Sequence, residues 1–274
     1  MLAHRTARWT LAHLCVATAL LTACASSPQR SARRDLRFDT ETVSRIRHAA
    51  AAGEVGSALS PTAARTVASQ LAGFAPVLLT LLDSDNAVGE LEEQLKECAM
   101  LAERQVNTRH FGDRAPTRQE CGEEVLVDGC SEPLTRAMLL GQQKHEVALR
   151  CAREVLEQLW PASFSIERRY RYYPSTQWLE TISREEEARL LAQGCTSQLW
   201  RTIKPDIVLH GEDGDPRRSM LTLDFKFPCP DTNLPQWTRY GESSAYSGSN
   251  QGTLYREALQ AEALIISPRL GFRR

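Results

Sequence analysis

Between Lys204 and Pro230 the chain reads KPDIVLHGEDGDPRRSMLTLDFKFPCP, and no other stretch limits the fold as tightly. Two short apolar runs, Ile207–Leu209 and Met220–Phe227, flank an insert from Gly211 to Pro216. The Gly, Asp and Pro content of that insert is hairpin-loop chemistry. On the second strand Asp224 and Lys226 are two apart, so strand alternation puts them on one face and Phe225 on the other. Pairing the strands brings Asp206, at the mouth of the first, close to Asp224. Two carboxylates beside a lysine suit phosphodiester hydrolysis. Carboxylates hold Mg²⁺ (or Mn²⁺), a hard cation that polarises a phosphate and acidifies water. Lys226 would orient or deprotonate the water, or offset charge on phosphorus.

An isolated Asp-x-Lys tripeptide is common and usually forms a solvated ion pair. Here Pro205-Asp206 precedes Asp224-Phe225-Lys226, each within an apolar strand pattern. This combination resembles the PD-(D/E)xK, or restriction-endonuclease-like, nuclease superfamily. The resemblance implies a metal site built from Asp206, Asp224 and the backbone carbonyl of Phe225, with Lys226 catalytic. An acidic residue on the first core helix often completes that site in the family. Glu146 is the choice here, with Glu154, Glu157 and the strand residue Glu167 as other candidates.

The first 23 residues read as a signal rather than as fold. His4, Arg5 and Arg8 precede an apolar run, Trp9 to Leu21, too short to span a bilayer. Leu21-Thr22-Ala23-Cys24 resembles the bacterial lipobox, which implies a diacylated Cys24 anchored in a membrane. Ala25 after the cysteine is compatible with delivery to the outer membrane. An ordinary signal peptide, with Cys24 idle, is the plainer alternative. Residues 24–34 are polar and basic and read as a tether.

Residues 35–130 are expected to be mostly helical, a delivery or accessory region. Val43–Ala52, Thr62–Leu82 and Glu90–Gln105 have helical composition, and Leu91, Leu95, Cys98 and Leu101/Ala102 form one stripe of the last. Glycines and a proline interrupt the chain from Asn107 to Gly129, so a domain boundary is placed near Cys130. Beyond the signal and anchor, Cys98, Cys121, Cys130, Cys151, Cys195 and Cys229 remain. An even set in an exported chain suggests up to three disulfides, of undetermined pairing. No C-x-x-C is present to suggest a zinc knuckle.

From Ser131 to Arg274 the expected order is helix, strand, strand, strand, helix, strand. Ser131-Glu132-Pro133 looks like a helix start, and Leu139, Val147, Cys151, Val155 and Leu159 mostly share a face up to Pro161. Phe164–Tyr173 reads as one β-prone strand, and Ser183 with Glu186 as the capping box of a short helix. The Ile207 and Asp224 strands follow, then a helix over Asn250–Ala261 and a strand over Ala263–Ser267. The fold class is α+β or α/β, and this order resembles the αβββαβ core of the same superfamily. Gln251 and Tyr255 are four apart on the second helix. Relatives with a Q-x-x-x-Y helix imply that they support the site or contact phosphate; an ordinary polar pair is the alternative. Trp237 and Tyr240 suit either base stacking or loop packing.

Charge is not diagnostic. The whole chain carries −1, and residues 131–274 hold 19 basic against 18 acidic side chains. A nucleic-acid partner would need a local patch, for which Arg168, Arg169, Arg171, Arg217, Arg218, Arg273 and Arg274 are available. A lipid-anchored nuclease finds no resident chromosome at the envelope. The layout resembles SitA-type polymorphic lipoprotein toxins, which bacteria transfer to kin. That resemblance implies an outer-membrane or periplasmic lipoprotein acting in a recipient's cytoplasm, restrained by a cognate immunity protein. DNA is favoured over RNA as target, with a tRNA-cleaving toxin and an inactive periplasmic scaffold as alternatives.

Overall fold

The structure, a computed structural model, describes residues 69–112, 114–125, 134–194, 199–215 and 218–274. The signal segment, Cys24, the tether, the Val43–Ala52 helix, the Ser131–Pro133 cap, Cys130, Cys195 and Arg217 lie outside them. Residues 65–274 form one compact unit, in which the helices before position 130 pack on those after it.

The helix expected over Thr62–Leu82 stops early. Among the described residues, α1 spans Gln70–Phe74, and a 3₁₀ turn over Pro76–Thr80 replaces its continuation. Pro76 removes a backbone donor and pushes Ala75 out of helical geometry, to φ −134° and ψ 67°. Helix α2, Asp85–Phe111, starts at a Ser84 cap and buries Leu91, Leu95, Cys98, Ala99 and Ala102 along the expected stripe. A short α3, Arg118–Gly122, carries a complete Thr117/Glu120 capping box. Strands β1 (Glu124–Val125) and β2 (Leu134–Thr135) pair antiparallel.

Helix α4, Arg136–Leu159, is capped by the Thr135 hydroxyl, which accepts from the Met138 amide. Its buried residues are Leu140, Lys144, Val147, Ala148, Leu149, Ala152 and Leu156. Of the expected stripe Val147 is buried, while Leu139, Cys151, Val155 and Leu159 are only half-buried, one position off the main line. The offset reflects a buried charge: Lys144 packs inward and donates to Glu103 of α2 at 2.9 Å. Helices α2 and α4 lie against each other and are tied by a Cys98–Cys151 disulfide. A second disulfide joins Cys121 of α3 to Cys229.

The stretch expected as one strand, Phe164–Tyr173, is two strands in two sheets. β3 (Phe164–Ile166) and β4 (Arg169–Tyr173) are separated at Glu167, which takes a left-handed φ of 47°. β4 joins β5 (Trp178–Ile182) and β6 (Thr202–Ile203) in a three-stranded sheet, with α5 (Arg184–Gly194) between the last two in sequence. The Ser183 hydroxyl accepts from the Glu186 amide at the start of α5.

The main sheet contains β7 (Ile207–His210) and β8 (Ser219–Phe225), the expected hairpin, with Ile207 opposite Leu223. β8 then pairs parallel with β9 (Glu262–Ser267), reached through α6 (Gln251–Leu259), and β10 (Gly271–Arg273) closes the edge. The strand order is β10-β9-β8-β7-β3. Because helices cover both faces, Ile207–Leu209 and Leu264–Ile266 are almost entirely buried. Val208 and Ala263 pack on Leu254 and Leu259 of α6, where Tyr170, Tyr172 and Ile203 of the small sheet join the core. The molecule is a mixed α and β fold. Among the described residues, no helix is long and apolar enough to cross a membrane.

Candidate active site

Alternation along β8 sorts its C-terminal side chains. Asp224 and Lys226 turn towards α6, while Phe225 and Phe227 turn the other way, where Phe227 meets His145 of α4 edge-on at 5.3 Å. The hairpin register does the rest. Asp206, one residue before β7, lies beside Asp224, and its Oδ2 accepts the Phe225 amide at 2.7 Å. Both carboxylates are buried, at 8% and 3% exposure. The Lys226 ammonium pairs with Asp224 Oδ2 at 2.5 Å and donates to Gln251 Oε1 at 2.8 Å. Tyr255 donates to Asp224 Oδ1 at 3.3 Å and also lies 3.3 Å from the Lys204 carbonyl. Gln251 and Tyr255, one helical turn apart, thus hold the lysine and the carboxylate respectively.

Burial raises the Asp224 pKa to about 6, the nearby Asp206 charge adds to this, and Lys226 and His145 only partly offset it. Burial also holds Tyr255 well above its ordinary range, reinforced by Asp224, so the phenol stays a donor. Glu146 is exposed on the wall of the adjoining groove. The contact expected of an α4 residue is made by its neighbour: His145 Nδ1 lies 3.0 Å from Asp206 Oδ2. Burial favours the neutral ring, but Asp206 and then Asp224 outweigh it and raise the His145 pKa. His145 is the site residue that sequence reading passed over. Its signal was adjacency to Glu146, a step of one residue that on a helix rotates the side chain by about 100°.

Trp237, expected either to stack on a base or to pack a loop, lies against the site. Its ring lies 5.7 Å from the Lys226 ammonium and meets Tyr255 edge-on at 6.0 Å. It fits there because position 252 is glycine: a Cβ would fall 2.4 Å from the indole. Tyr240 packs against Tyr246 instead. Glu167 pairs with Lys204 at 3.0 Å. Glu154 and Glu157 lie on α4 outside these contacts. Four of the seven arginines considered as a basic patch pair with acids: Arg169 with Glu187, Arg171 with Glu180, Arg218 with Asp213 and Arg274 with Glu262.

No protein-family model, curated protein or solved structure matches the chain. Its chemistry has to be read from the site itself. Among the described residues, no three His, Cys, Asp or Glu side chains are grouped as a ready metal cage. The donor set still fits a hard cation. Asp206 and Asp224 supply oxygens that repel each other when both are ionised, and a divalent ion that keeps several waters needs only one or two carboxylates.

Proposed function

We propose that the protein is a Mg²⁺-dependent endonuclease with a restriction-endonuclease-like core. The observation that carries the reading is the convergence of Asp206, Asp224 and Lys226 at one end of a β7–β8 hairpin, with Gln251 and Tyr255 bracing it from α6. The order α4–β3–β7–β8–α6–β9, with β8 parallel to β9, supports the same family reading.

Asp206 and Asp224 would hold Mg²⁺ or Mn²⁺, which supplies positive charge to the scissile phosphate and acidifies water. Lys226, fixed between Asp224 and Gln251, would direct its ammonium at the phosphate or, after losing a proton, accept one from the incoming water. The Phe225 amide and His145 orient Asp206, and Tyr255 orients Asp224. Combined with the lipobox-like Leu21–Cys24 segment, this describes a lipid-anchored toxin delivered to a competing or kin cell and neutralised by an immunity protein. DNA is the favoured target and tRNA the second. The test offers supercoiled plasmid, single-stranded circular DNA and total tRNA to the full chain, with Mg²⁺ or EDTA. Cleavage of at least one substrate, requiring Mg²⁺ and lost in Lys226→Ala, is the expected result. A folded chain that cuts none would favour the scaffold alternative.

A further inference from the structure

The α4 face that carries His145 continues away from the carboxylates as one wall of a groove of about 950 Å³. Helical spacing puts Met138, Gln142, His145, Leu149 and Arg153 on one stripe, with Arg150 beside it. From His145 to Arg153 the stripe runs about 12 Å at ~1.5 Å per residue. Lys226 and Phe227 face this stripe at His145, and Met138 adds exposed apolar lining, while Leu149 and Ile166 lie beneath it, almost fully buried. Met138 is 52% exposed there.

We propose that this groove binds a single-stranded polynucleotide and feeds one of its phosphates to Asp224 and Lys226. Arg153, with Arg150 beside it, holds the backbone, an unstacked base lies on Phe227, and Met138 extends the apolar wall. The inference rests on the nuclease reading above and narrows its substrate. Phosphate needs cations but no apolar lining, whereas an exposed base needs a flat apolar surface. This groove supplies both. A duplex keeps its bases stacked inside and would leave the lining uncovered. The volume, at the top of the ~300–1,000 Å³ range of small-ligand sites, suits one strand. Phe227 is held in place, stacked on Phe225 at 6.1 Å and touched by the His145 edge, so a base meets a ring that is already ordered. Two acids share the wall. Glu167 is paired with Lys204, and Glu146 stands near Arg150 and Arg153 on the same helix.

The test is fluorescence anisotropy of the full chain in EDTA, where binding proceeds without cleavage. The probes are labelled twelve-nucleotide oligothymidine and oligouridine, and a duplex of the same length. Single strands should bind about tenfold tighter than the duplex, with an affinity that falls as salt rises. Arg153→Glu, at an exposed position, should weaken single-strand binding about tenfold and flatten that salt dependence. Phe227→Leu should weaken binding while preserving the salt slope. Equal or tighter duplex binding, or single-strand affinity untouched by Arg153→Glu, would overturn the groove. The two DNA and RNA probes separate the sugar types. Single-strand binding through Arg153 in a chain that hydrolyses nothing would retain the groove and sink the nuclease reading. Duplex cleavage indifferent to Arg153→Glu would do the reverse.

Discussion

Lys144 and His145 are neighbours on α4, yet they serve two buried charge clusters of opposite character. Lys144 turns to α2, where Glu103 Oε1 accepts from it at 2.9 Å and from Asn107 at 2.7 Å. One cation meets one carboxylate, and the charge is closed. His145 turns to the end of the hairpin, where two carboxylates crowd together and the Asp224 pKa rises to about 6. The first cluster holds two helices together. The second keeps acids close against their repulsion, and it is on this perturbation that the proposed chemical role rests. The difference lies in charge balance, since both are buried.

This contrast is open to direct attack. The largest stability effect is expected from Lys144→Ala, which strands Glu103 and should cost about 3–5 kcal/mol in urea unfolding. A Lys144→Met/Glu103→Leu double variant, which removes both charges, should recover most of that loss. If the single substitution costs nothing, the pair is not structural.

Next comes the Cys121–Cys229 link, which spans 108 residues and pins the chain three positions beyond Lys226. Replacing both cysteines by serine should cost roughly 2–4 kcal/mol. It should also lower hydrolysis, because the loop following the lysine loses its tether. The Cys98–Cys151 link closes a shorter loop of 53 residues and does not hold the segment that follows Lys226, so Cys98→Ser/Cys151→Ser should lower the relative activity of the folded fraction less. Equal activity loss from both would show that the first disulfide has no special hold on the site.

A smaller effect is expected from Gly252→Ala. The new methyl meets the Trp237 indole, so overpacking of about 1–3 kcal/mol should appear in thermal unfolding. Displaced indole also leaves Lys226 and Tyr255, so intrinsic Trp fluorescence and activity should change together. Unchanged fluorescence would mean that the indole is not seated there.

The smallest effect concerns pH. Burial would raise the Glu187 pKa, but the Arg169 hydrogen bond, with Lys204 and Arg184, outweighs it and lowers the folded value. Its stabilisation is therefore present above the ordinary glutamate range and lost as pH falls through the depressed folded value. Glu187→Gln should flatten the acid limb of the stability curve and leave neutral-pH activity unchanged. An acid limb as steep as that of the parent would discount the ion pair.

Legibility in the sequence followed the range of the interactions. The β7–β8 hairpin could be read because alternation, turn residues and the Asp-x-Lys spacing all act within some 20 positions, and Gln251 with Tyr255 obeys one helical turn. The break at Glu167 could not. Phe164–Tyr173 is β-prone throughout, and a non-glycine residue in the left-handed region announces nothing in advance. The buried line of α4 was misplaced because it contains a lysine, whose burial depends on Glu103 forty-one positions away. His145 against Asp206, like the two disulfide pairings, depends on how distant elements pack, which local patterning does not encode.

The most direct test of the central claim compares Asp224→Asn with the parent chain in Mg²⁺-dependent hydrolysis and in urea unfolding, side by side. The account predicts hydrolysis lowered by at least about 10²-fold, the lower end of what a positioned catalytic group contributes. It also predicts stability that is unchanged or increased, because the repulsion with Asp206 is relieved. Retained hydrolysis, or a loss of activity fully explained by unfolding, would contradict it.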